Sequence, residues 1–86
     1  MNWELYAWLK RGNRRRKILE LIMKSSTPIT ANEVKTKLKV ALSQVSFTLK
    51  ELLEYGLIQC LNPNDKIGRL YRVTSEGEKL LTAFNE

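Results

Sequence analysis

The chain has 86 residues, 43% of them hydrophobic and 28% charged, an ordinary soluble composition with room for one modest core. Lysine and arginine outnumber aspartate and glutamate by 15 to 9, and the net charge of +6 favours a polyanionic partner. There is no histidine and a single cysteine, which excludes an intrachain disulfide framework and a Cys/His zinc site.

The longest uninterrupted apolar run, Leu5 to Leu9, is far short of the roughly 20 residues that cross a bilayer. The N-terminus, Asn2-Trp3-Glu4, has no basic segment ahead of an apolar stretch. No membrane partner is expected, and the expected address is the cytoplasm. Without histidine, a glycine-rich phosphate loop or paired acids, enzymatic activity is not expected, nor is a metal or cofactor.

In chain order, residues 2 to about 10 predict a helix carrying Trp3, Leu5, Tyr6, Trp8 and Leu9 over most of its circumference. Such a helix should be covered on more than one side. Gly12-Asn13 breaks it, and a second helix follows from about Arg14 to Ser25. Its buried stripe is Ile18, Leu19, Ile22 and Met23. Lys10, Arg11, Arg14, Arg15, Arg16 and Lys17 stand together with no acid among them. Cations in a first helical turn oppose the helix dipole, so an anion is expected nearby, and Arg14, Arg15 and Arg16 become candidate phosphate contacts. A solvated basic face is the alternative.

Ser25 to Pro28 reads as a loop, and Ile29 as a very short strand. Thr30-Ala31-Asn32-Glu33 has the form of a capping box. It starts a short helix at Ala31 with Val34 and Leu38 inward, ending near Lys39. Lys35 and Lys37 are further phosphate candidates. Val40 and Leu42 continue the core, and a longer helix runs from about Leu42 to Tyr55. Val45, Leu49, Leu52 and Leu53 fall at i, i+4, i+7 and i+8 on one face. Ser43, Gln44, Ser46, Phe47 and Lys50 lie on or beside the other. Hydroxyls, an amide and a cation at the front of an exposed helix suit base edges and phosphates in a major groove. Helix, short turn, helix is a helix-turn-helix, expected over about residues 31–55.

Gly56 should stop that helix in a left-handed conformation. Leu57 to Leu61 predicts a strand, Asn62 to Asp65 a turn, and Arg69 to Thr74 the returning strand, over about residues 57–74. Alternation puts Tyr71 and Val73 on one face, Leu70 and Arg72 on the other. Lys66 and Arg69 flank Gly68 near the tip; with Arg72 they are candidates for phosphate or the minor groove, or else solvated charges that guard a hairpin edge. Cys60 is expected as a buried, inert thiol. Thr74 should cap a last helix of about Ser75 to Asn85 bearing Leu80, Leu81 and Phe84. Trp3, Tyr6, Trp8, Leu80, Leu81 and Phe84 either pair with a second copy or complete the core, and pairing is the expectation. No repeat, low-complexity tract or linker divides the chain, so a single α+β, mostly helical domain is expected.

Three strings, LKRGNRRRKIL, VSFTLKELLEYGLI and GRLYRVTSEG, resemble the small archaeal members of the ArsR/MarR-like regulator group. That resemblance implies a winged helix-turn-helix with a two- to three-stranded wing and a homodimeric, cytoplasmic, nucleoid-associated regulator of transcription. It implies double-stranded DNA as partner, with the helix of Ser43, Gln44, Ser46, Phe47 and Lys50 in the major groove. Lys39 stands where such proteins often carry a turn glycine, and Ala41 where a serine commonly caps the recognition helix. Phe47 replaces an arginine or another polar reader. Its ring either touches a thymine methyl or sugar, or packs on a protein partner. A protein-interaction module and a non-specific, chromatin-like DNA binder are the alternative functions.

Overall fold

The computed structural model describes residues 2–85. Five helices and a two-stranded sheet occur in the order α1 (Trp3–Arg11), α2 (Asn13–Lys24), α3 (Ala31–Leu38), α4 (Leu42–Glu54), β1 (Ile58–Cys60), β2 (Tyr71–Val73), α5 (Ser75–Phe84). The Asn2 side chain caps α1 by accepting from the Glu4 and Leu5 amides. Gly12 then ends α1 and begins α2 without a side-chain cap.

The core is assembled on α2. Ile18, Leu19 and Ile22 are buried against Val45, Leu49 and Leu52 of α4 and Leu80 and Leu81 of α5. Met23 and Leu53, expected inside, are only half-buried, whereas Thr48 is buried. Leu42, expected to continue the core, is 41% exposed at the start of α4. Leu80 and Leu81 require a larger correction. They were expected at a dimer face, but they are 4% and 0% exposed and complete the core of the chain itself.

The capping box of α3 forms as its residues dictate: the Thr30 hydroxyl accepts from the Glu33 amide, and the Thr30 amide donates to the Glu33 carboxylate. Lys39, Val40 and Ala41 join α3 to α4. Lys39 takes the left-handed conformation, φ 55° and ψ 45°, the region that a turn glycine adopts at no steric cost. An L-residue carries a steric penalty there that glycine avoids.

At the other end of α4, Gly56 has φ 71°. Its amide donates to the Leu53 carbonyl and the Leu57 amide to that of Leu52, the double bond of a Schellman stop. β1 and β2 pair antiparallel, with Ile58 opposite Val73 and Cys60 opposite Tyr71. Ile29 adds an isolated bridge to Tyr71, so the expected third strand is one residue long. Cys60 is half-buried, with its thiol 3.7 Å from Asn62 Oδ1. Thr74 caps α5 through the Gly77 amide, and its hydroxyl also donates to the Gly56 carbonyl at 2.7 Å. The architecture is a winged helix-turn-helix, with α1 and α5 meeting beside it through Tyr6 stacked on Phe84 at 4.5 Å.

Ala41 offers a direct check on the helix-turn-helix. It sits at the N-cap of α4 with an extended backbone and supplies no capping bond. In Ala41→Ser the new hydroxyl would accept from the Ser43 amide, since the Gln44 amide already donates to the Ala41 carbonyl at 3.0 Å. The variant should gain about 1 kcal/mol of stability, read as a rise of about 4–8 °C in the thermal midpoint.

Candidate nucleic-acid interface

Burial of Val45, Leu49 and Leu52 fixes which side of α4 faces outward. Ser43, Ser46, Phe47 and Lys50 follow one another at i, i+3, i+4 and i+7, and all are exposed. Gln44, also exposed, stands at the edge of that stripe. Phe47 is 62% exposed.

The wing lies alongside. Ser46 and Lys50 of α4 share a groove of about 680 Å³ with Lys66, Ile67, Gly68 and Arg69, and Thr30, Ala31 and Tyr71 also line it. Lys66 and Arg69 therefore share one groove with part of the exposed face of α4. Arg72 does not. It is exposed on β2 but lines a separate depression with Ser25 to Pro28 and Glu78. Strand alternation, which buries Tyr71, sends Arg72 to the other face, correcting its expected place among the groove-facing wing cations.

The wing loop owes its shape to Asn62, which the sequence presented only as a turn residue. Its amide nitrogen donates to Asp65 Oδ2 at 2.9 Å and to the Gly68 carbonyl at 3.1 Å. Its oxygen accepts from the Leu70 amide at 2.7 Å. Arg69 Nε donates to the Asp65 carbonyl at 2.6 Å, tying down the second half of the loop. The signal for Asn62 is present in the Asn-Pro-Asn-Asp string, but its partners lie up to eight residues away.

The basic cluster on α2 divides. Arg14 and Lys17 are exposed. Arg15 lies with its guanidinium 4.4 Å from the Trp8 ring centroid. It also donates to the Trp8 carbonyl at 2.9 Å and reaches Glu51 at 3.7 Å. Arg15 joins α1, α2 and α4, which corrects its expected role as a free phosphate ligand. Its acidic partner, Glu51, stands on α4 rather than on α2. Arg16 donates to Asn13 Oδ1 at 2.8 Å, pairs with Glu20 at 3.6 Å and lies 5.8 Å over the Phe84 ring. None of Arg14, Arg15 and Arg16 lines the groove beside α4. Lys35 and Lys37 are exposed on α3.

The aromatic residues of α1 divide in the same way. Trp8 packs on Tyr55 at 4.6 Å and beneath Arg15, within the chain rather than on a free face. Trp3 is 69% exposed and meets Tyr6 edge-on at 5.6 Å. Among the described residues no group of three or more His, Cys, Asp or Glu side chains is placed to hold a metal ion, and no helix is long and apolar enough to cross a membrane.

Residues 14–60, from the start of α2 through the helix-turn-helix to β1, match the family described as Helix-turn-helix domain. The chain belongs to that family. Among solved structures, the reduced form of MarR from E. coli is 33% identical, with a TM-score of 0.72 over 90% of this chain and 57% of that one. A mutant E. coli MarR complexed with operator DNA is 31% identical, with a TM-score of 0.74 over 93% of this chain and 57% of that one. A MarR family regulator from Rhodococcus sp. is 25% identical, with a TM-score of 0.68 over 79% and 48% of the two chains. The chain thus spans about half the length of these structures, between 48% and 57%. No curated protein matches it significantly in sequence.

The division of the cluster predicts different behaviour for neighbouring arginines. Arg15→Ala should lower stability by about 1–2 kcal/mol, since it removes a charged hydrogen bond and a cation–π contact at a three-helix junction. Arg14→Ala should change stability by less than about 0.5 kcal/mol. Chemical denaturation of the two variants is the comparison, and equal losses would contradict the assignment.

Proposed function

We propose that the chain is a sequence-specific, double-stranded DNA-binding regulator of transcription, with α4 in the major groove and the wing on the adjacent minor groove or backbone. One observation carries the reading: Ser46 and Lys50, on the exposed stripe of α4, share a single groove with the Lys66–Arg69 tip. A basic edge beside a helix face of hydroxyls, an amide and an aromatic ring combines non-specific phosphate attraction with groups that read bases. The MarR mutant complexed with operator DNA, similar over most of this chain, supports it.

In this reading Ser43, Gln44, Ser46, Phe47 and Lys50 face the bases. Gln44 can pair with adenine N6 and N7, and the Phe47 ring suits a thymine methyl. Lys66 and Arg69 serve the wing, while Lys35 and Lys37 on α3 hold phosphates, with Arg14 available at the start of α2. A second copy pairs through the face where Trp3, Tyr6 and Phe84 meet, because an exposed Trp3 beside the half-buried Tyr6 and Phe84 on terminal helices suits a symmetric contact. The reading needs no catalysis, metal or cofactor, and it places the protein in the cytoplasm at the nucleoid. Phe47 and Trp3 would also serve a protein-interaction module, which predicts no duplex binding at all.

Selection from a random duplex pool tests the proposal, and a palindromic motif is the expected outcome. On the selected site, a dimer neutralising about six to eight phosphates should show a log–log salt slope of about −5 to −7. Gln44→Ala should lose discrimination worth about 1–3 kcal/mol at one base pair per half-site and keep that slope. Equal weakening on selected and random duplex would leave the non-specific binder as the better account.

A further inference from the structure

Ile67 is 91% exposed, more than any other large apolar residue described. It lies between Lys66 and Gly68 on the wing loop, with Arg69 one position further on. Leu42 and Leu61, the next aliphatics in exposure, are 41% and 42% exposed. Ile67 is therefore the one aliphatic side chain described that is held almost wholly in water.

A loose loop would give that exposure little meaning, but this loop is braced. Asn62 holds Asp65, Gly68 and Leu70, and Arg69 holds the Asp65 carbonyl. Gly68, at φ 71°, supplies the backbone reversal beside Ile67. The bonding shapes the loop, and the branched side chain of Ile67 stands exposed at the groove it lines with Ser46 and Lys50. The nearest acid, Asp65, has its carboxylate engaged by Asn62, so the flanking charges are those of Lys66 and Arg69. An apolar point between two cations matches a surface that offers phosphates at its rim and stacked bases at its floor. That is the minor groove of a duplex, which proteins enter with cationic side chains and apolar wedges.

We propose that Ile67 is an apolar wedge that the wing inserts into the minor groove beside each half-site, partly unstacking one base step while Lys66 and Arg69 engage the flanking phosphates. The inference rests on the DNA-binding reading and adds a residue that selects sequence through deformability. Pyrimidine–purine steps unstack most readily, so the selected site should carry such a step at the wing contact, outside the bases read by α4.

The experiment places 2-aminopurine, whose fluorescence rises on unstacking, at successive adenines flanking the selected half-site. The wild-type protein should raise the signal several-fold at one position, and Ile67→Leu should retain it. Ile67→Ser should abolish it and weaken binding roughly tenfold, the size of one lost specific contact. Its salt slope and α4-read preferences should stay unchanged. An exposed position tolerates serine, so an unaltered thermal midpoint accompanies the expected result. A bound wild-type complex with no signal at any adenine overturns the wedge alone, as does a signal that persists in Ile67→Ser. Failure of the wild-type protein to bind any duplex overturns the DNA-binding reading and the wedge together.

Discussion

The fold depends on one stripe of side chains. Ile18, Leu19 and Ile22 of α2 are almost fully buried, and α2 packs against all four other helices and β2. A chain of 86 residues buries a smaller fraction of its surface than a larger domain, so one central helix must serve every neighbour. Leu80 and Leu81 are drawn inward for that reason. With only this core available, the last helix completes it, and just the outer rim of α1 and α5 remains for another molecule.

The same constraint sorts the positive charge. Three consecutive arginines at the start of α2 face unfavourable dipole and mutual repulsion. Arg15 escapes both by lying over Trp8 and reaching Glu51, and Arg16 by pairing with Glu20. Charge counted along a sequence overstates the charge available to a partner. What remains beside α4 is local: Lys50 with Lys66 and Arg69.

Most of the fold was legible because local rules agreed with the global answer. The 3.6-residue apolar pattern located α2 and α4, Thr30 and Glu33 located the start of α3, and Gly56 located the end of α4. Errors occurred where a residue's fate depended on distant partners. Periodicity marks Leu80 and Leu81 as apolar without saying which surface receives them. Arg15 looked like its neighbours until α1 folded over it. Alternation gave Arg72 its face but could not say that this face turns away from α4. Asn62 was hidden because its bonds span the hairpin, and Ile67 because an apolar residue in a loop has no periodicity to violate.

Thr74 has a role beyond capping α5. Its hydroxyl grips the carbonyl of Gly56, and its amide that of Leu57. Gly77, one turn on, lies so near that a Cβ there would run into the Leu57 carbonyl oxygen. The end of α4, the base of the wing and the start of α5 are thus locked together. Such a body works as a caliper. In the proposed DNA-binding role it would spend little conformational entropy on closing and would accept a duplex by the distance between adjacent grooves, a quantity that varies with sequence even where no base is touched.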